Sequence, residues 1–385
     1  MSWNLNKRSA AAALLAVGAL ALAALEAPQA GAAVAGSGQV TIAVAKHSKG
    51  RTLSGQGVKL VAGGGTAGDN GKLTLPISSL DPIATQASAT SDGSLRFKHG
   101  KRAVGLSGLS FDLAAQTLDG KLGGKQMPVF KLGAAASVDP GAGSIALREG
   151  KLQLTADAAK ALKEKLGLGR ALIRKGVGMI WLSAQASPTH AAAQAVVSGS
   201  AQWGVLTSWR AYVLGNFGPG SVGTITTDEG ATANGTLSAA GAYFEFPAAS
   251  GSFERGLYGA ADVLSLKAAG SVTFAKPGHC IIEIKFSDLR LKLDGANSSI
   301  ALDALSDIDA PEGMTCADVP AVTTNDVLFA KLDLSGVTPS YSGDGKTVSW
   351  SSIPAALTAA GGSAWGAGYA EGQALDPVTI TVGLG

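Results

Sequence analysis

The chain repeats itself, and this repeat constrains its fold more than any other feature. Residues 93–113 read GSLRFKHGKRAVGLSGLSFDL, and residues 270–293 read GSVTFAKPGHCIIEIKFSDLRLKL. Both segments open Gly-Ser-x-x-Phe, and each has one histidine, His99 or His279, eight residues before a serine. The second segment has three more residues between its phenylalanine and its histidine. The two halves of the chain are therefore predicted to share one scaffold.

The phase of the side chains supports this match independently. In the strand that leads to a serine, Ser107 or Ser287, the apolar alternation falls on even-numbered positions, and after the serine it falls on odd-numbered positions. These residues are Val104, Leu106, Leu109, Phe111 and Leu113 in the first segment, and Ile282, Ile284, Phe286, Leu289, Leu291 and Leu293 in the second. Side chains on a strand alternate with period two, so a change of parity predicts a bulge or a tight bend at the same place in each copy.

Composition favours strands throughout. The chain has 53 glycines, 5% aromatic and 15% charged residues, and many short runs of Val, Leu, Ile and Thr, which is typical of strands joined by tight turns. We predict a mainly β fold of two tandem β-sandwich-like domains, each with one or two short helices. The predicted boundaries are residues 36–183 for the first domain, 184–197 for a linker rich in Ala, Ser and Pro, and 198–385 for the second domain.

The first 35 residues have the features of a secretory signal peptide. Lys7 and Arg8 precede an apolar run, Ala10–Leu25, and small residues then lead to an A-x-A cleavage pattern at Ala33–Ala35. A retained membrane anchor is the second choice, because a spanning helix needs about 20 apolar residues. The C-terminal residues show no apolar 20-mer and no basic tail, so no C-terminal membrane anchor is expected. We expect a secreted protein, either free or associated with the cell surface.

Charge and cysteine content limit the kinds of ligand and partner that the protein is expected to bind. Without Lys7, Arg8 and Glu26, the 31 basic and 28 acidic side chains fall to 29 and 27, a balance that does not favour nucleic-acid binding. The two cysteines, Cys280 and Cys316, are predicted to form one disulfide, since an isolated pair in an exported protein is most simply a disulfide. A metal site would need more ligands of this kind.

Three helices are predicted. The first covers 156–166, with Thr155 as N-cap and Gly167 just past its end, and residues 353–360 are its weaker counterpart in the second half. The third opens the second half at 200–215, where Trp203, Leu206, Trp209 and Val213 have the spacing of an amphipathic helix of about three turns.

The residues suited to chemistry are concentrated in the second half. All five tyrosines lie there, and the first half has His99 but no tyrosine. No His-x-x-x-His, Gly-x-Ser-x-Gly or P-loop pattern is present, and the four histidines are scattered, so we predict that the protein is not an enzyme. Hydrolysis by a facing pair of carboxylates stays open, because a β-rich fold can bring any two together. The tyrosines are Tyr212, Tyr243, Tyr258, Tyr341 and Tyr369.

Several motifs of the second half occur together in one known family. They are Trp203-Gly, Trp209-Arg-Ala-Tyr212, Gly270-Ser-Val-Thr-Phe274, Gly278-His279 and the closing stretch Trp365-Gly-Ala-Gly-Tyr369-Ala-Glu-Gly-Gln-Ala-Leu-Asp376-Pro377. In this combination, residues 198–385 resemble the HtaA-type haem-binding domain of secreted and surface haem-uptake proteins of Gram-positive bacteria. The first half resembles a divergent copy of it. The His279 segment is longer than the family's pattern, and Cys280 stands where a small residue is common.

The resemblance implies a site and a ligand. By position, Tyr212 is the axial ligand of the haem iron, His279 supports it, and Tyr369 contributes to binding. Trp203 and Trp209, with Phe244 and Phe246, are expected to pack on the porphyrin, and Arg210 or Lys276 to meet a propionate. Alternatively, Tyr212 is an ordinary residue at the edge of the core, and His279 only stabilises a turn.

The implied function is the capture or relay of ferric haem b for haem-iron uptake. A tyrosinate ligand suits ferric iron, because a bound cation favours the deprotonated phenol. The expected partners are haem and either a host haemoprotein or another haem-relay protein. The alternative is a non-catalytic surface or structural module that has kept the scaffold and lost haem ligation.

Overall fold

The computed structural model describes residues 36–45, 50–63, 66–67, 72–82, 87–174, 177–215, 221–277, 282–308, 310–312, 315–317, 320–366 and 368–385. The predicted signal peptide, residues 1–35, lies outside the described residues, and so do His279 and Cys280. The signal peptide and the disulfide between Cys280 and Cys316 therefore stay predictions.

Antiparallel strands dominate the first half of the chain. They are β1 (Gly36–Val44), β2 (Lys59–Gly63), β3 (Thr66–Ala67), β4 (Lys72–Pro76), β5 (Ser79–Asp81), β6 (Ser88–Ser91), β7 (Ser94–His99), β8 (Arg102–Asp112), β9 (Thr117–Leu122), β10 (Lys125–Leu132), β11 (Ser137–Asp139), β12 (Ser144–Leu154) and β13 (Gly178–Ala186). A 3-10 helix, Ser54–Gln56, follows β1, and helix α1, Ala156–Leu166, follows β12.

The second half has the same character. Its strands are β14 (Thr189–His190), β15 (Gln194–Trp203), β16 (Thr224–Asp228), β17 (Thr232–Asn234), β18 (Tyr243–Glu254), β19 (Gly256–Leu257), β20 (Val263–Ala268), β21 (Ser271–Lys276), β22 (Ile282–Asp294), β23 (Ser299–Ile308), β24 (Ala310–Glu312), β25 (Thr315–Ala317), β26 (Val322–Leu332), β27 (Ser340–Tyr341), β28 (Thr347–Leu357) and β29 (Ala374–Leu384). Helix α2 is Thr207–Val213, and helix α3 is Ala359–Trp365.

Each half forms one large sheet that closes on itself. In the second half the pairings run β15-β18-β20-β22-β23-β26-β28-β29 and return from β29 to β15. In the first half they run β8-β9-β10-β12-β13-β1-β4, and the chain then passes from β4 into β5, which reaches β8 through β6. The protein is mainly β, with two such bodies, as the sequence predicts. We call these closed sheets the first and second rings.

The predicted change of phase is present in both rings. The register of β8 against β9 shifts between Ser107 and Ser110, and the register of β22 against β23 shifts between Ser287 and Arg290. Gly108 and Asp288, at these bulges, have φ angles of 58° and 50°. A bulge moves the following side chains to the other face, which keeps the apolar residues directed inward on both sides of it.

Each ring encloses its own hydrophobic core. Phe97, Phe111 and Phe130 are fully buried in the first ring, while Phe286 and Phe329 pack edge to face in the second with their ring centroids 4.9 Å apart. Full burial of an aromatic side chain of this size contributes roughly 1.5–3 kcal/mol. Because the two clusters are separate, each ring has its own source of stability.

Two contacts of the loop after β18 lie at the junction of the two rings. Strand β14, in the connection between them, pairs with β19 of the second ring. The next residue after β19, Tyr258, packs against the core of the first ring, where Gly143 leaves room for it: a Cβ at Gly143 would lie 2.6 Å from the Tyr258 ring. The predicted domain boundaries, including the linker at 184–197, stay a prediction, with β13 ending at Ala186 and β15 beginning at Gln194.

One predicted helix is confirmed and two are wrong in extent. Helix α1 covers the predicted residues, and Thr155 caps it by accepting a hydrogen bond from the Ala158 N–H. The helix predicted at 353–360 is wrong, because residues 353–357 belong to β28 and α3 begins only after Thr358. The helix predicted at 200–215 is also wrong in its first half, where β15 extends through Trp203. The backbone there is a strand despite the helical spacing, because β15 pairs with β18 on one side and β29 on the other and its side chains pack as in a sheet.

None of the three helices in the described part of the chain has the length and apolar character needed to span a membrane.

Candidate functional site

A buried ion pair fixes the helix that carries Tyr212. Arg210, in α2, is fully buried, and its Nη1 lies 2.5 Å from Oδ2 of Asp376 in β29. Its Nε donates to the Leu237 carbonyl at 2.8 Å, so the guanidinium is well satisfied. Asp376 also accepts the backbone N–H of Thr207 at 3.1 Å, which caps the first turn of α2. Arg210 is thus committed to the protein itself, and the expectation that it meets a propionate is wrong.

Tyr212 and Trp209 form the first part of the site. Their rings stack at a centroid distance of 5.7 Å and an angle of 28°. Trp209 is buried against Phe274 of β21, whereas Tyr212 lies at the edge of the core and is half-buried. Tyr212 therefore lies at one end of the second ring with its aromatic ring packed and part of its side chain accessible to solvent.

Lys276, the last residue of β21, holds Tyr212 in place. It is 4% exposed, its Nζ donates to the Tyr212 carbonyl at 2.7 Å, and the same ammonium lies 4.5 Å from the Tyr212 ring centroid. An ammonium over an aromatic face is attractive, and more so where water is excluded. The sequence alone does not predict this contact, and it leaves Arg210 or Lys276 as the residue expected to meet a propionate. His279 follows Lys276 by three residues and lies outside the described part of the chain.

Tyr369 completes an aromatic cluster with α2 and α3. Its ring centroid lies 4.6 Å from that of Trp365 and 6.4 Å from that of Trp209. Burial raises the pKa of Tyr369, a hydrogen bond with Ser208 lowers it, and the nearby Tyr212 raises it. The sequence-predicted Tyr212, Trp209 and Tyr369 are therefore brought together although 157 residues separate the two tyrosines.

A glycine makes the approach of Tyr369 to α3 feasible. A Cβ at Gly362 would lie 2.6 Å from the Tyr369 carbonyl oxygen, closer than real contacts allow. Gly361, beside it, would place a Cβ 2.3 Å from the Phe329 carbonyl oxygen. The Gly361-Gly362 pair thus lets α3 lie against both β26 and the segment that carries Tyr369.

Two buried donors in this cluster lack partners. Among the described residues, the indole Nε1 atoms of Trp209 and Trp365 are buried and have no hydrogen-bond acceptor. An unsatisfied buried donor costs about 1–3 kcal/mol, so such groups are uncommon in folded proteins. At the same end of the ring, Ile282 and Ile308 pair across β22 and β23 and are only partly buried. The site therefore combines phenols, apolar contact surface and free donors.

Trp203 is apart from this cluster. It is 1% exposed, and its Nε1 donates to the Asp376 carbonyl at 3.1 Å. Phe244 and Phe246 are equally buried. These three residues have no surface to offer a ligand in this conformation, so we do not include them in the site. Within the described ranges, no group of three or more His, Cys, Asp and Glu side chains could hold a metal ion.

Two signals in the sequence could have revealed the ion pair. Arg210 is the only charged residue in α2, and a charge on a helix with a buried face usually has a partner. Asp376 lies in the same closing motif as Tyr369. Neither signal identifies the pairing alone, because 166 residues separate the two side chains.

Comparison with known proteins gives one family and several solved structures. Residues 198–381 match the family model described as Htaa. The chain is similar to the C-terminal domain of HtaA from Corynebacterium glutamicum, with 20% identity, a TM-score of 0.35, and coverage of 50% of this chain and 99% of that one. For the N-terminal domain of the same protein the identity is 20%, the TM-score 0.37, and the coverage 49% and 98%. For the heme binding protein HtaB of that organism the values are 21%, 0.35, and 52% and 98%. No curated protein matches the chain.

Proposed function

We propose that the second ring binds haem between α2, α3 and the Tyr369 segment, on the premise that residues 198–381 match the HtaA family model. The observation that carries the proposal is the convergence of Tyr212, Trp209, Trp365 and Tyr369 at one end of the ring. Ligand sites combine apolar and aromatic walls with a few polar groups, and this cluster has both.

Tyr212 is the proposed axial ligand. Ferric haem iron, when bound, supplies a cation that takes an anionic oxygen. The Tyr212 ring stacks on Trp209, and the Lys276 ammonium lies 4.5 Å from its centroid. Positioning of this kind reduces the conformational entropy that ligation would otherwise cost. A positive charge beside the ring also suits a ligand that becomes anionic.

Tyr369 is proposed to donate a hydrogen bond rather than to ligate. Burial raises the pKa of its phenol, so it keeps its proton over the physiological range. The hydroxyl is near Ser208 and close enough to Tyr212 for the two phenols to interact electrostatically. His279 is proposed to assist at the same site, because it follows Lys276, which contacts Tyr212, by three residues. Donors of this kind orient a ligand and tune its basicity.

We further propose that the protein captures or relays ferric haem b outside the cell and performs no catalysis. Residues 1–35, with their secretory features, support export. The partners would be a host haemoprotein that gives up haem or another haem-relay protein.

The test is a haemin titration of the purified chain. A saturable Soret band should form, and Tyr212→Phe should abolish it while keeping the aromatic stack. The matched control is Tyr243→Phe, which removes a phenol from β18 outside the cluster and should leave the band unchanged. His99→Ala, in the first ring, should also leave it unchanged.

Unfolding curves of each variant show whether the fold is intact. A Soret band in folded Tyr212→Phe with the position and amplitude of the parent would sink the ligand assignment. A parent protein that gives no saturable band would instead favour a module that has lost haem ligation.

A further inference from the structure

A cavity lies in the second ring, and part of its lining is at the end opposite Tyr212. Its volume is about 980 Å³, and it borders Gly295 and Ala296, just past the end of β22. Tyr212 lies instead near Lys276 and the start of β22. The 13 residues of β22 separate the two places by about 40 Å of strand. None of Trp209, Tyr212 and Tyr369 lines the cavity, although Gly372, which does line it, follows Tyr369 by three residues. The size of the cavity is that of a small-molecule pocket.

The walls of the cavity are largely apolar. Leu334 and Val337, which follow β26, are partly buried against the core and face the cavity together with Pro339. Trp350 of β28 lies beneath them, almost fully buried against Phe253. These side chains provide a surface that an apolar ligand body could cover.

The acidic groups of the cavity already have partners. Asp262 accepts the Tyr341 hydroxyl and the Gly256 backbone N–H, the latter at 2.8 Å. Asp333 accepts the Ser335 backbone N–H at 2.8 Å, which closes the turn after β26. Both carboxylates thus serve the protein's own loops.

The basic groups of the cavity have no carboxylate partner of this kind, although Arg255 forms a hydrogen bond with the side chain of Tyr341. The Arg255 guanidinium lies over the Tyr341 ring, 4.6 Å from its centroid, and is only partly exposed. Among the described residues, neither Arg255 nor Lys331 has a carboxylate oxygen within ion-pair distance. A partly desolvated guanidinium without a carboxylate is suited to an anionic partner.

We propose that this cavity binds an amphiphilic organic anion, with its charged group at Arg255 and its apolar body against Leu334 and Val337. The ligand is a carboxylate or sulfonate with an aliphatic or aromatic body, and it is independent of haem. The cationic group, Arg255, and the apolar side chains, Leu334 and Val337, line the same cavity.

The cavity also adjoins the contact between the two rings. The Arg255 carbonyl accepts the Ala191 N–H at 2.9 Å, and an imidazole nitrogen of His190 lies 3.0 Å from the Ala261 carbonyl oxygen. Tyr258, in the same loop, packs against the core of the first ring. Ligand pockets occur preferentially at such contacts between domains. An occupant at Arg255 would therefore stabilise the loop of the second ring that is hydrogen-bonded to the connection between the rings.

The test uses the full chain with anilinonaphthalene sulfonate, an aromatic anion whose fluorescence rises in apolar surroundings. Arg255→Gln should weaken its binding by about tenfold, the factor expected from one charge-assisted contact. Ala374→Trp places a large side chain at the rim of the cavity and should remove most of the signal. Arg148→Gln, an exposed arginine of the first ring, is the control and should leave binding unchanged.

Competition tests the charge requirement. Octanoate should displace the probe, and octanol, with the same chain and no charge, should do so at least about tenfold less well. Tyr212→Phe should leave probe binding unchanged, so a failure of the haem proposal does not imply a failure here. Probe binding that is insensitive to both Arg255→Gln and Ala374→Trp, or equal displacement by octanol, would overturn the proposal.

Discussion

The two rings differ most in the segment that follows their first strand, β1 or β15. After β1 the first ring has a 3-10 helix of three residues, Ser54–Gln56, with no aromatic side chain. After β15 the second ring has α2, which carries Trp209 and Tyr212 and is held by Asp376 from the last strand. The strands around these segments follow the same circuit in both rings.

The histidines show the same contrast. In the first ring, His99 at the end of β7 has its Nδ1 3.3 Å from the carbonyl oxygen of Leu166, the last residue of α1. This imidazole is therefore engaged by the backbone of its own domain. In the second ring the end of α3 is instead covered by Tyr369. The scaffold is common to both copies, and the proposed ligand chemistry depends on additions to only one of them.

The largest difference in stability between the two rings is expected from removing the Arg210–Asp376 ion pair. Every ion pair among the described residues lies in the second ring, and this one has a fully buried arginine. Asp376→Ala leaves that charge uncompensated and should lower the free energy of unfolding of the second ring by about 3 kcal/mol. Urea unfolding with hydrogen exchange of peptides from each half measures it.

The control for this change is Glu283→Ala, which removes an exposed carboxylate from β22 and should have little effect. Since the two cores are separate, peptides from the first ring should keep their protection in Asp376→Ala. Equal loss of protection in both halves would show that the rings do not have independent stability.

A smaller effect is expected at the helices that follow β12 and β28. Both are capped by a threonine, Thr155 or Thr358, and four residues later the first ring has Ala159 where the second has Gly362. Gly362→Ala brings a methyl group against the Tyr369 carbonyl and should destabilise the second ring by about 2 kcal/mol. It should also weaken haemin binding, because Tyr369 must move.

Urea unfolding and a haemin titration of the same sample test both outcomes. The reverse change in the first ring, Ala159→Gly, should cost about 1 kcal/mol from helix propensity alone and leave haemin binding intact. Unchanged stability and binding in Gly362→Ala would mean that the approach of Tyr369 to α3 does not matter.

The smallest effect concerns alkaline pH, since only the second half contains tyrosines. Burial and the hydrogen bond with Asp262 raise the pKa of Tyr341 above its ordinary value near 10. The folded state therefore holds this proton more tightly than the unfolded state does. The contribution of this Tyr341 proton to the free energy of unfolding is fully present below pH 10 and decreases as the pH rises above about 10.

Unfolding curves at pH 9 and pH 11 test this, with peptides of the second ring losing protection first. Tyr341→Phe should reduce the difference between the two pH values. A control, Tyr243→Phe, should not, and a larger alkaline loss in the first ring would contradict the comparison.

The strands and bulges could be predicted because they depend on local alternation. The parity change at Ser107 and Ser287 is visible in the sequence, and the structure has register shifts at both places. Helix α1 could also be predicted, since Thr155 and Gly167 are strong end signals.

The rest depended on distant contacts. Trp203 and Leu206 have helical spacing with Trp209, yet β15 continues through Trp203 because β18 and β29 pair with it on both sides. The cap of α2 comes from Asp376, not from a neighbouring side chain. The meeting of Tyr212 with Tyr369, and of Tyr341 with Asp262 and Arg255, likewise depends on how the rings close.

The closure of each ring also sets an order in time. In the first ring β1 pairs with β13, so this ring can close once residue 186 has been synthesised. In the second ring β15 pairs with β29, so this ring cannot close until residue 384 has been synthesised. Pairings between residues so distant in the chain form slowly. In a nascent chain Trp203 and Trp209 therefore lack their final packing partners for longest, and the proposed haem site is the last part of the protein to be assembled.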